Sequence, residues 1–157
     1  MTIYHNLPLL GGTRTATPPG TIWTAERRPV LAFDDTTDET IMFSWRMPDE
    51  FSTGLRFKIQ YSMASATANN VALRAEIMAA SSADAIATDS FDTVNVSADQ
   101  TVPGSSGNMG EITITPTNLD GLAGGDYISV ILGRENGTSG TNAAGDMYWW
   151  TITALWD

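Results

Sequence analysis

Between Thr40 and Arg46, Ile41, Phe43 and Trp45 alternate with Thr40, Met42, Ser44 and Arg46. A period of two with one greasy face can be buried only as a strand laid against a second layer. The pattern returns in Leu55, Phe57, Ile59, Tyr61 and Met63, and again in Val71, Leu73, Ala75, Ile77 and Ala79. The alanines and the glutamate of 71–79 invite a helix, but their alternation makes the segment a strand. Weaker strands are expected at Phe91 to Val96 and Gln100 to Val102. Clearer ones are expected at Glu111 to Thr115, Tyr127 to Arg134 and Asp146 to Trp156. In the last, Tyr148, Trp150, Ile152, Ala154 and Trp156 are read as sharing one face. Met47-Pro48-Asp49 and Pro116 stop their strands, because proline cannot donate to a ladder.

About eight strands with neither βαβ alternation nor heptads define an all-β antiparallel sandwich. Long cross-connections favour a jelly-roll-like order over an immunoglobulin-like one. Residues 1–28 read differently. Gly11-Gly12 and Pro18-Pro19-Gly20 forbid a helix, and the apolar residues are scattered. The expected organisation is an extended N-terminal arm, 1–28, followed by the β-sandwich domain, 29–157. Fully extended, the arm would reach on the order of 90 Å. Leu9, Leu10, Ile22 and Trp23 give it something to bury along a neighbouring subunit, and Arg14, Arg27 and Arg28 would meet acidic surfaces.

The net charge of −10 is uneven. Residues 1–29 carry three arginines and one glutamate, giving 3 − 1 = +2, and the remainder carries five basic and 17 acidic residues, giving 5 − 17 = −12. An acidic body argues against nucleic-acid binding, which needs a basic face. No polybasic patch or long apolar run points to a membrane. The N-terminus lacks a basic region followed by an apolar core, so the expectation is a chain made and assembled inside a cell.

No enzyme is expected. His5, the only histidine, lies in the arm, where nothing holds a base against a nucleophile. There is no cysteine and no histidine pair for zinc. Asp49, Glu50, Glu76, Glu111 and Glu135 fall in turns or on polar strand faces, where a solvated charge is the ordinary outcome for a carboxylate. Asp34, Asp35, Asp38 and Glu39 could offer calcium several oxygens, but the helix-loop-helix loop order is missing, and a solvated turn is preferred. No metal or cofactor is therefore assigned. Asn95-Val96-Ser97 and Asn136-Gly137-Thr138 are formal glycosylation sequons and are read as coincidence. Trp149 and Trp150, adjacent in a strand, must point to opposite faces. One fills the core, and the other is an exposed-face candidate for a subunit interface or a sugar platform.

Three features together carry a family resemblance over Pro29 to Asp157: the Phe33-to-Glu39 acidic turn (FDDTTDE), the aromatic strand ending at Pro48, and the paired closing strands. Those closing strands read AGGDYI followed by Arg134, and GDMYWWTIT. The stretch resembles tailed-phage virion jelly-roll proteins, namely capsid decoration (cement) proteins and tail-associated β-sandwich modules. The resemblance implies a structural protein on the outer surface of the capsid, made in the host cytoplasm. It would be a homotrimer that clamps neighbouring major capsid subunits. The alternative it leaves open is a tail-fibre or baseplate module binding host-surface glycan, with the 135–145 loop and Trp149 or Trp150 facing the sugar.

Overall fold

The computed structural model describes residues 1–24, 26–136 and 142–157, and among them there is no helix. The strands are β1 (Ile3–Leu7), β2 (Thr13–Arg14), β3 (Gly20–Trp23), β4 (Pro29–Phe33), β5 (Thr40–Arg46) and β6 (Arg56–Met63). They continue with β7 (Asn70–Ala80), β8 (Asn95–Val96), β9 (Gln100–Thr101), β10 (Gly110–Ile114), β11 (Tyr127–Glu135) and β12 (Met147–Trp156). Every strand named in the sequence has its counterpart, although Phe91 to Val96 contributes only the two residues of β8.

Two antiparallel sheets form. Sheet A runs β10-β6-β12-β4-β3, with β1 also on β12, and sheet B runs β2-β5-β11-β7-β8, with β9 also on β7. Within them β4 pairs with β12 and β5 with β11, so the first long strand meets the last and the second meets the next to last. The orders β4-β12-β6-β10 and β5-β11-β7-β8 are the nested Greek keys of a jelly roll. The expected sandwich is therefore the observed one.

The alternating apolar residues fill the space between the sheets. Phe57, Ile59, Tyr61, Leu73, Ala75, Ile77, Ile128, Val130 and Leu132 are all buried in one cluster. Trp149 lies against Phe33 with ring centroids 4.1 Å apart. Gly110 sits opposite Tyr61, and a Cβ there would fall 2.7 Å from the ring, so only glycine lets that ring lie flat in the core.

Two expectations are corrected. Residues 1–28 are extended, but their partners lie within the same chain: β1 pairs with β12, β2 with β5 and β3 with β4. Because β3 and β4 form one hairpin, the sandwich begins well before residue 29. Leu7 is buried and Leu9 packs against the core, so burial that was assigned to a neighbour is satisfied at home. The second correction concerns β12. Trp149 opposes Tyr61 whereas Thr151 opposes Gln60, so a β-bulge at Trp150 resets the alternation. Met147 and Trp149 face inward before it, and Ile152, Ala154 and Trp156 face inward after it.

Candidate functional site

The bulge builds a site on the outer face of sheet A. In an unbroken strand Trp150 and Thr151 would point opposite ways. Here both stand on the outer face, and both line the same two hollows. The indole N–H of Trp150 donates to the Ser62 hydroxyl at 2.9 Å, which holds the ring in place. Thr151 Oγ1 donates to Gln60 Oε1 at 3.0 Å, and Thr153 Oγ1 to Asn6 Oδ1 at 3.1 Å. Lys58 and Glu111 neutralise one another at 2.9 Å.

One hollow, of about 560 Å³, runs beside Tyr4, Asn6, Leu9, Lys58 and Leu155. The other, of about 540 Å³, lies between Thr24, Glu26 and Arg28 of the β3–β4 turn and Met109. Gln60, Trp150 and Thr151 belong to both, so they form the ridge where the hollows meet. Tyr4, 68% exposed, marks the far end. The arrangement offers aromatic faces, amides and hydroxyls with little net charge.

A second feature is the open side of the sandwich, where β3 ends sheet A and β2 ends sheet B. A cleft of about 200 Å³ is lined there by Leu10, Arg14, Pro18, Pro19 and Thr21, with Leu31 and Ile41 of the core below. Trp23 follows Thr21 on the same face of β3 and is 66% exposed, while Leu10 is 50% exposed. Arg27, at φ 59°, and Arg28 sit exposed in the hairpin turn. The seven arm residues singled out in the sequence thus divide. Leu9 and Ile22 are partly buried in the chain's own fold, whereas Leu10, Arg14, Trp23, Arg27 and Arg28 remain on the surface. Trp149 is no surface candidate, being fully buried, and Trp150 is the outward ring.

The acidic turn is an internal knot. The carboxylate of Asp34 accepts from the Thr36 hydroxyl at 2.5 Å and from the Thr36 and Thr37 amides at 2.6 and 3.1 Å, and these bonds, the hydroxyl's foremost, hold its pKa below its ordinary value. Asp35 accepts from the Gly145 amide at 2.7 Å, and Glu39 from the Asp34 amide at 2.8 Å. Asp38 pairs with Arg74. At the centre is Arg134, wholly buried, which donates to the carbonyls of Gly145 (2.7 Å) and Ala143 and to Asn142 Oδ1 (3.0 Å). Burial pulls its pKa down, and Asp35, Asp34 and Asp146 pull it back. With the carboxylates so engaged, the described residues contain no cluster of three that could hold a metal.

Sequence reading missed Arg134, although its parity with Ile128, Val130 and Leu132 places it on the inward face. The remaining candidates are separated. His5 lies against Trp45, centroids 5.8 Å apart. Glu76 and Glu135 share Arg74, Asp49 pairs with Arg46, and Glu111 pairs with Lys58. Asn95 is buried and donates to the Asn118 carbonyl at 3.0 Å, so that sequon serves the fold. Gly137 and Thr138 of the second sequon, and residues 137–141 of the 135–145 loop, lie outside the described residues.

The geometry defines a jelly-roll β-sandwich with a neutral aromatic face and a basic, aromatic open side. No family model and no curated protein matches the sequence. Among solved structures, one of infectious bursal disease virus, Gx strain, aligns at TM-score 0.47 and 9% identity, over 98% of this chain and 32% of that one. This chain therefore spans about a third of that one's length. The xylan-binding module CBM15 aligns at 0.47 and 10%, over 99% and 97% of the two chains. The mannan-recognising module TmCBM27 aligns at 0.39 and 8%, over 98% and 88%. At these scores the likenesses decide nothing about ligand or partner.

Proposed function

We propose that this chain is a non-enzymatic structural protein of a tailed-phage virion, a capsid decoration protein seated on the outer surface of the head. The observation that carries the reading is the open side of the sandwich. There Leu10 and Arg14 line the cleft, Trp23 stands exposed on β3, and Arg27 and Arg28 sit exposed in the turn that follows it, on a protein whose remainder is strongly acidic. A lone exposed tryptophan flanked by arginines has the composition of a binding hot spot. The bare edge of β3 can also take an added strand from a partner. The resemblance of Pro29 to Asp157 to virion jelly rolls supports the same reading.

The partner is then an acidic surface or strand of the major capsid protein, with copies of this chain meeting as a homotrimer around the contact. The clamp acts through a rigid hairpin, since the arm is folded into its own sheets. Repetition over a shell turns a modest apolar contact, at about 25 cal/mol per Å2, into collective resistance to internal pressure. The test is co-sedimentation of purified protein with undecorated heads. Trp23→Ala combined with Arg27→Ser and Arg28→Ser is expected to weaken binding at least about tenfold with unchanged thermal unfolding. Undiminished binding by that variant would sink the account of the open side.

A further inference from the structure

We propose that the outer face of sheet A is a binding site for an extended, uncharged oligosaccharide chain, with one sugar ring stacked on Trp150. The inference is independent of the virion assignment, because it rests on a different face and on Trp150, Gln60, Thr151 and Tyr4; Arg28, at the rim of the second hollow, is the one residue the two readings share.

The bulge is the first support. An inserted residue disrupts the ladder locally, and such irregularities commonly re-aim a side chain at a functional surface. Here the register slips between Trp149 and Thr151 and leaves a ring and a hydroxyl side by side on one face. A regular β12 would have turned one of them inward. The second support is positioning. Trp150 is tied to Ser62 at 2.9 Å, so the indole plane is set before a ligand arrives and less rotamer freedom is lost on binding.

The third support is chemical complementarity. A pyranose presents C–H groups on its flat faces and hydroxyls around its rim. The negative face of an indole suits the first. Amides and hydroxyls suit the second, and Gln60, Thr151, Asn6 and Thr153 line the first hollow beside the ring. Lys58 is paired with Glu111, and the wall of the second hollow carries one charge of each sign, Glu26 and Arg28. A phosphate backbone would require a basic trough.

The fourth support is extent. Tyr4 is aligned with Leu155, five residues beyond Trp150 on β12. At ~3.3 Å per residue the two backbone positions are roughly 16 Å apart along the strand. The hollows open on both sides of the Gln60–Trp150–Thr151 ridge, which fits the interior of a chain better than a chain end.

The experiment is a titration of the full chain with uncharged hexasaccharides of β-1,4-linked glucose, xylose and mannose and of α-1,4-linked glucose, followed by tryptophan fluorescence and amide NMR. Polygalacturonate and heparin serve as charged controls. The expected result is saturable binding of at least one neutral chain, with shifts centred on the Trp150 indole N–H, Gln60 and Thr151. Trp150→Ala and Tyr4→Ala should each lower affinity at least about tenfold, and Trp150→Phe should retain part of it. Tyr4 is exposed enough that its replacement leaves the fold intact, which keeps the test valid if Trp150→Ala unfolds. Three results overturn the proposal: no saturable binding to any neutral chain, binding of charged chains alone, or binding indifferent to both substitutions. Self-association that buries Trp150 and blocks titration would likewise overturn it, by giving the face to a second copy. None of these outcomes bears on binding to heads through Trp23.

Discussion

Arg134 donates to the backbone carbonyl of Gly145 at 2.7 Å from inside the sandwich, one strand end held to the next by a buried guanidinium. Around that bond the acidic turn, the approach to β12 and the end of β11 are locked together.

Replacing Arg134 with alanine leaves the Gly145 and Ala143 carbonyls and Asn142 Oδ1 without donors and opens a cavity. Breaking a buried charged network costs about 3–5 kcal/mol, and urea unfolding should show it. Arg134→Lys should fail to rescue, because an ammonium cannot span the same acceptors. A midpoint within error of the native protein would mean the knot is ornamental.

Glu39 gives the knot a pH dependence. Burial first, then negative Asp34 and Asp146, push its pKa above the ordinary 4.5, against the Asp34 amide that favours the carboxylate. The folded state therefore holds the extra proton, and this group's contribution to stability falls as pH rises from 4.5 through its folded pKa. Glu39→Gln keeps the acceptor and removes the charge. It should raise the urea midpoint near neutral pH and leave it unchanged in acid below the ordinary value. Equal midpoints at both would remove Glu39 from the account.

Gly145 has φ +84° and a would-be Cβ 2.5 Å from Ser65 Oγ. Gly145→Ala should cost about 1–3 kcal/mol from the left-handed backbone, read as a lower thermal midpoint. A neutral result would show that the turn can take another conformation.

Adjacent tryptophans should behave oppositely. Trp149, packed on Phe33, should cost about 3–5 kcal/mol on truncation to alanine. Trp150 loses a hydrogen bond to Ser62 and partial burial, about 1–2 kcal/mol. Equal losses in calorimetry would mean that the bulge does not separate the two rings as described.

Much of the sandwich is legible because its core strands carry strict alternation, as in Phe57, Ile59 and Tyr61. The site is less so, for a physical reason. A bulge inserts one residue without any mark in composition, so reading β12 at constant period assigns Tyr148 and Trp150 to the side of Ile152. The first 28 residues misled in another way. Short strands such as Thr13–Arg14 owe their existence to tertiary pairing, not to their own pattern, so Gly and Pro spoke louder than Leu7. Arg134 could have been found from parity, since an arginine in register with Ile128 and Val130 needs acceptors, and the acidic turn lies beside them.

The most direct test of the virion account is the copy number of this protein relative to the major capsid protein in purified particles. The account predicts a number commensurate with the capsid lattice, as expected of a protein that covers the shell. Absence from particles, or a count matching only the tail, would contradict it.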